Sequence, residues 1–293
     1  MIILEIIFFL IASSTILLSL AGYGQFLINR IQSNFFVNIF FGFIVITFLI
    51  TITHFFIKIN FYVGLVILLL GLFLFVKDFN INCLKLLKKN YLYFLLFLIL
   101  VPILISQKYH EDFGYYHLPY VISMIENKII FGLANSNIAF SHNSIWLNTI
   151  SIFAFPNNNF NFLTLPVFLI YFIFITFSLK KIFVSPKKIP STYFLIICLF
   201  YFILKFTRMS EYGNDIPAVI FSILTIFYFL KYSETEISEK KSFYFFNCFS
   251  FAIFGILIKF STIPIFLLPL CLFCLNINIL KKEIFKLKFI FIF

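Results

Sequence analysis

Charge is scarce in this chain. Asp, Glu, Lys and Arg make up 11% of its 293 residues, against about 25% in an ordinary globular domain, and a soluble fold is excluded on that ground. No glycine-rich nucleotide loop occurs, neither G-x-G-x-x-G nor a Walker pattern, so a domain that binds ATP or a nucleotide sugar is absent. Any activated donor must arrive through a membrane or from outside. The five cysteines (Cys83, Cys198, Cys248, Cys271 and Cys274) are scattered and give no disulfide framework. Cys271 and Cys274 share a helix face but have no His or acid beside them, and they read as small packing residues. No basic segment precedes the first apolar run, so Met1 to about Ile28 reads as a retained span rather than a signal peptide. There is no internal repeat.

What fills the chain instead is apolar: 62% of the residues are hydrophobic. The composition predicts an all-α, polytopic helical membrane protein with about 9–10 transmembrane helices. Runs long enough to approach a bilayer crossing fall at about 2–22, 35–57, 61–76, 91–106, 160–179, 190–206, 215–230, 243–258 and 262–280, with a tenth from near Ile284. The chain stops at Phe293 inside that last run, as expected of an abbreviated helix or of a piece of a longer protein. The run from Met1 to residue 89 makes an N-terminal three-span segment, and residues 90–293 make a second module.

The net charge of +11 would point to nucleic acid in a soluble chain. Here the cations sit in short connections, and they sort by side. With the N-terminus outside, 16 of the 22 Lys and Arg residues fall on inner loops, as the positive-inside rule requires. No nucleic-acid partner is expected, and the bilayer is the first partner. The same count puts the 107–159 loop, the 205–215 loop and the turn at Lys259 on one outer face. In a bacterium that face is the periplasm, and the expected location is the inner (cytoplasmic) membrane.

The long outer loop holds most of the chemistry. Three of the four histidines (His110, His117 and His142), the acids Glu111 and Asp112, and the single tryptophan, Trp146, all lie within it. Its length marks it as functional or disordered, and its aromatic content argues against disorder. It is expected to carry two interfacial helices, one over about 115–126 and one over about 144–155, joined by a turn at Gly132-Leu-Ala-Asn135. The second is too short to span, so it is interfacial or re-entrant, with Trp146 at headgroup level.

Asp112 and Glu111 come directly after the fourth span. A carboxylate at that depth is partly desolvated, which would raise its pKa toward that of a general base; the alternative is a solvated loop acid. The second outer loop offers Glu211 and Asp215, preceded by Lys205 and Arg208. Asp215 also suits a helix N-cap ahead of Pro217. Arg208 suits a phosphate, which guanidinium can grip with two hydrogen bonds. Lys259 interrupts an apolar run, where a charge must snorkel, pair or meet an anion. His110, Asp112, His117 and His142 could hold a divalent metal, but their spacing is not an established zinc pattern such as H-E-x-x-H. No cofactor is firmly implied.

These features together resemble the GT-C superfamily, polytopic glycosyltransferases that use polyprenyl-phosphate-linked sugars. The carriers of the resemblance are an acid after an early span, a long outer loop, a second acidic outer loop and the Lys259-Phe-Ser-Thr-Ile-Pro264 turn. More closely, DFGYYHLP, GLAN and FSHNSIW look like the signature of a group of bacterial multi-spanning proteins. Asp112, Gly114, Tyr116, His117, Gly132, Leu133, Asn135, Asn143, Ser144 and Trp146 match it. Three spans precede the acidic loop where many GT-C enzymes have one, and the analogy leaves them unexplained.

The resemblance implies transfer of a sugar from an undecaprenyl- or dolichyl-phosphate carrier to a cell-envelope glycan, lipid or protein acceptor. Asp112 would act as base, with Glu111 or His117 assisting. Arg208, Lys205 and Lys259 would neutralise the leaving phosphate. Tyr115, Tyr116 and Trp146 would stack on a sugar ring, and Asn135, His142, Asn143, Glu211 and Asp215 complete the expected binding set. The rival class is a transporter or flippase for a lipid-linked or anionic solute, which needs polar or broken helices at the bilayer midplane. A non-catalytic assembly subunit is the third reading.

Overall fold

A computed structural model describes residues 2–28, 34–77, 96–100, 112–141, 144–154, 162–184 and 189–275 of the protein. The expected span at 91–106 falls mostly outside these residues, and the one from near Ile284 entirely so.

Every regular element among the described residues is helical. In chain order they are α1 (Ile2–Ile28), α2 (Phe35–Phe56), α3 (Phe61–Lys77), α4 (Leu118–Glu126), α5 (Ile145–Ser151), α6 (Leu165–Val184), α7 (Pro190–Leu204), α8 (Asp215–Ser233), α9 (Ser238–Ile258) and α10 (Leu267–Leu275). Five are long and apolar enough to cross a membrane: α1, α2, α6, α8 and α9. The helices at Phe61–Lys77, Pro190–Leu204 and Phe260–Leu275 are apolar but shorter. The protein is an all-α polytopic membrane protein. Its long helices are apolar all round because their outer faces meet lipid rather than water.

Proline sets several of the boundaries. The run expected at 160–179 becomes helical only from Leu165, which places Pro166 in the first turn, where its missing N–H does no harm. The run expected at 262–280 opens instead as a 3-10 segment, Phe260–Phe266, and only then becomes α10. Pro264 within it cannot supply an α-helical N–H.

The described chain divides into two compact units. Unit 1 comprises 1–176 with 206–214, and unit 2 comprises 177–205 with 215–293. The N-terminal three-span segment therefore shares a unit with the described part of the long outer loop.

Unit 1 is built on close helix crossings. A β-carbon at Gly24 or Gly42 would collide with the facing backbone of α2 or α1, and one at Gly22 with that of α3. Small residues let membrane helices approach where no hydrophobic effect drives them together. The Tyr23 hydroxyl then donates to the Ile67 carbonyl at 2.6 Å, tying α1 to α3.

Unit 2 rests on aromatic packing between α8 and α9. Phe221 meets Phe251 and Phe254 with ring centroids 5.6 and 4.7 Å apart, and Tyr228 meets Phe251 at 5.7 Å. At the start of α7 the Glu234 carboxylate accepts from the Ser191 N–H (2.6 Å) and hydroxyl (2.8 Å), and from Lys231 (3.0 Å). It thereby satisfies donors that a helix N-terminus leaves open.

Candidate functional site

Asp112 heads a π-helical turn, Phe113–His117, that runs directly into α4. The Leu118 N–H reaches back to the Phe113 carbonyl, which widens the turn by one residue. Pro119 comes next and has no N–H to give the carbonyl one normal turn back, so a wide turn suits the sequence here. Such π-bulges are rare and gather at functional sites. Asp112 is half-buried, Tyr116 likewise, and Tyr115 is 62% exposed, its ring edge-on to Tyr116 at 6.3 Å.

His117 is the buried member of this turn, at 4% exposure. Its ring packs on Tyr116 at 4.2 Å between centroids and on Tyr212 at 5.7 Å. Phe113 stands edge-on to Tyr212 at 4.6 Å. The first acidic loop is therefore clasped to the second. The clasp is aromatic, a feature that a reading fixed on charges passed over. Burial pushes the Tyr212 hydroxyl well above the ordinary phenol range, and it stays neutral. That hydroxyl has no hydrogen-bond partner among the described residues.

Arg208 and Glu211 sit three apart around the 3-10 turn Phe206–Ser210, which brings them onto one side. Arg208 Nε donates to Glu211 Oε2 at 2.5 Å, and Glu211 is buried. The expected phosphate-binding arginine thus carries its own carboxylate. In unit 2 the same holds for Lys259, whose ammonium meets Asp215 Oδ1 at 2.6 Å. Asp215 is the first residue of α8, where a negative charge also complements the helix dipole. Of the three fates open to Lys259, the structure shows pairing. Lys205, also in unit 2, is exposed at the end of α7.

Asn135 is exposed and closes the expected turn, its N–H donating to the Gly132 carbonyl at 2.8 Å. Gly132 has φ 79°, and a β-carbon there would crowd the Asn135 amide at 3.1 Å, so glycine is required on two counts.

Trp146 requires a correction. Ser144 caps α5, accepting from the Trp146 N–H at 3.3 Å, and residues Trp146–Ser151 are all buried. The indole is 0% exposed and lies 5.4 Å from the Phe43 ring, in the body of α2. Asn148 donates to Thr51 at 2.9 Å, and Thr149 pairs with Thr47. The helix is held inside the protein by these polar pairs to α2, which satisfy side chains buried away from solvent. Trp146 is buried within the protein rather than open to a sugar, and it packs on α2.

Glu111, His110, His142 and Asn143 lie outside the described residues. Of the four groups considered for a metal only Asp112 and His117 are described, and among the described residues no cluster of three His, Cys, Asp or Glu groups occurs.

The fold and these loops define a class: a multi-span helical membrane protein whose candidate site residues lie at helix ends and on loops, two of them clasped by aromatic rings. The whole chain, residues 1–293, matches the family model described as Domain of unknown function (DUF8201), and the protein belongs to that family. No curated protein and no solved structure matches it.

Proposed function

We propose that the protein is an integral-membrane glycosyltransferase of the GT-C kind, moving a sugar from a polyprenyl-phosphate carrier to a hydroxyl-bearing cell-envelope acceptor. The observation that carries this reading is the clasp between the Asp112 turn and the Arg208–Glu211 loop. It sets a half-exposed carboxylate, an exposed tyrosine and a cation on two loops of one unit. These are the groups an inverting sugar transfer needs, and no nucleotide-binding element competes for the role.

In the proposed step, Asp112 takes the proton of the acceptor hydroxyl while its oxygen attacks the anomeric carbon. The bond from that carbon to the phosphate oxygen breaks, and polyprenyl phosphate leaves with the electron pair. Arg208 stabilises the charge gathering on the phosphate, and charge stabilisation of this kind commonly supplies much of the rate. Glu211 holds the guanidinium in place. Tyr115 offers a ring face to the sugar, and buried His117 positions the turn rather than touching substrate. Lys205, Asp215 and Lys259 belong to unit 2, with Lys259 held by Asp215. The reading places the loops on the periplasmic face of a bacterial inner membrane.

The test is direct. Purified full-length protein in proteoliposomes is offered a panel of labelled polyprenyl-phosphate sugars with glycan and lipid acceptors. Transfer from at least one donor is expected. Translocation of the labelled lipid across the bilayer without transfer would replace this reading with the flippase.

A further inference from the structure

Unit 1 contains a second site built from other residues. The chain leaving α2 and the chain leaving α4 run side by side. The Ile59 N–H donates to the Met124 carbonyl at 2.9 Å and the Ile129 N–H to the His54 carbonyl at 3.1 Å. His54 Nε2 lies 3.2 Å from the Asn127 carbonyl and donates to it. Against this stitched pair opens a cleft of about 300 Å³, bounded by Tyr120, Met124, Lys128, Gly132, Phe140 and Ser141.

Two properties of the cleft point to its occupant. The first is its cation. Lys128 lines the cleft and is exposed, and like Lys58 and Lys205 its side chain has no ion pair or hydrogen bond among the described residues, whereas Arg208, Lys231 and Lys259 are each held by a carboxylate. The second is the bare apolar side chains that neighbour its lining in sequence. Phe131, between the lining residues Ile130 and Gly132, is 81% exposed and lies 6.5 Å from the Phe55 ring, and Phe56 and Ile138 are 76% and 80% exposed. Phe131 and Ile138 sit on turns rather than on long helices. Bare apolar side chains are costly in water, and irregular backbone is costly in hydrocarbon. Only the bilayer surface satisfies both, and there lysine stands at headgroup level.

We infer that this cleft holds the phosphate head of a membrane lipid, with Lys128 on the phosphate and the lipid's chain lying along the exposed Phe and Ile side chains. Tyr120 and Phe140, their rings 6.2 Å apart, wall the head. None of these residues belongs to the Asp112 constellation, so the inference stands whether or not the transferase reading holds.

The experiment uses full-length protein in detergent and tracks its thermal midpoint against three probes: dioctanoyl phosphatidic acid, dioctanoylglycerol and inorganic phosphate. Phosphatidic acid is expected to raise the midpoint saturably, and the other two to leave it unmoved. Lys128→Ala should weaken the apparent affinity about tenfold or more, as loss of a charge-assisted phosphate contact does. Lys128→Arg should restore it, and Phe131→Ser should weaken it without affecting expression. Lys240→Ala, at the far end of the sequence in unit 2, should match wild type. Equal binding by Lys128→Ala would overturn the inference. An equal response to dioctanoylglycerol would remove the phosphate from it, and an equal response to inorganic phosphate would remove the lipid.

Discussion

The His117 imidazole packs tightly against the backbone of Gly213. A β-carbon built on Gly213 would stand 3.2 Å from His117 Cε1, and Gly213 itself adopts φ 148°, a conformation other residues rarely take. A side chain at position 213 would therefore strain the backbone there and crowd the ring on which the two loops meet. Gly213→Ala should cost about 1–3 kcal/mol through backbone strain, with His117 displaced as well. Thermal unfolding should show the loss, and transfer activity should fall with it. A variant as stable and active as wild type would mean that the loops are held by something other than this contact.

Arg208 is tied to a buried acid, so removing it has two consequences. Under the proposed mechanism Arg208→Ala takes away a phosphate contact, worth about 1.5–3 kcal/mol, or roughly 10- to 150-fold in donor-dependent activity. It also leaves Glu211 buried beside no cation at its 2.5 Å partner position, which destabilises the fold. Arg208→Lys separates the two. It keeps the charge and much of the stability but loses the planar fork, so KM for the lipid-phosphate donor should rise while the unfolding midpoint changes little. If both variants use the donor as wild type does, Arg208 serves the loop and not the substrate.

Much of the scaffold was legible in the sequence because bilayer thickness imposes run length directly. The runs at 35–57, 61–76 and 190–206 correspond to α2, α3 and α7 within two residues at each end. Run length says nothing of where a short apolar segment lies in depth. Ile145–Ser151 carries Asn148, Thr149 and Ser151, and the partners of Asn148 and Thr149 are on α2 some hundred residues earlier. Only tertiary packing buries that segment inside the protein. The loop charges were legible as charges, but their pairing was not. Arg208 with Glu211 is a local 3-10 pair, and Lys259 with Asp215 joins positions 44 apart. The clasp of Phe113 on Tyr212 was hidden among 49 phenylalanines and 15 tyrosines, where one aromatic pair carries no sequence signal.

Because Trp146 is the single tryptophan, its fluorescence reports on α5 alone. The indole is fully buried against Phe43, so its emission should be blue-shifted and resist quenching by acrylamide. Sugar donors should leave it unchanged. Trp146→Phe should lower stability by about 1–3 kcal/mol through lost packing and leave donor affinity as it was. Quenching by solvent or a shift on donor binding would return Trp146 to the site.

Sidedness rests on the distribution of Lys and Arg, 16 against 6. In a cysteine-free background, single cysteines at Asn137 and Asn214 should react with an impermeant thiol reagent in intact cells, and one at Lys187 should not. Labelling at 187 with protection at 137 would invert the topology and move both acidic loops to the inner face.

The base assignment is the sharpest point of the proposed mechanism. Asp112→Asn preserves the shape of the side chain but removes its charge and its capacity to take a proton. Activity should fall by at least about 10²-fold, the lower scale of general-base catalysis, with little change in expression or unfolding midpoint. Asp215→Asn acts in the other unit, on a pair whose members are 43% and 47% exposed. Solvent-exposed ion pairs contribute about 0–1 kcal/mol, and Asn begins a helix as well as Asp does, so its effect should be small. The two variants share one chemical change and differ only in place. Near-full transfer by Asp112→Asn with abolition by Asp215→Asn would move the chemistry to the start of α8 and leave the π-turn as scaffold.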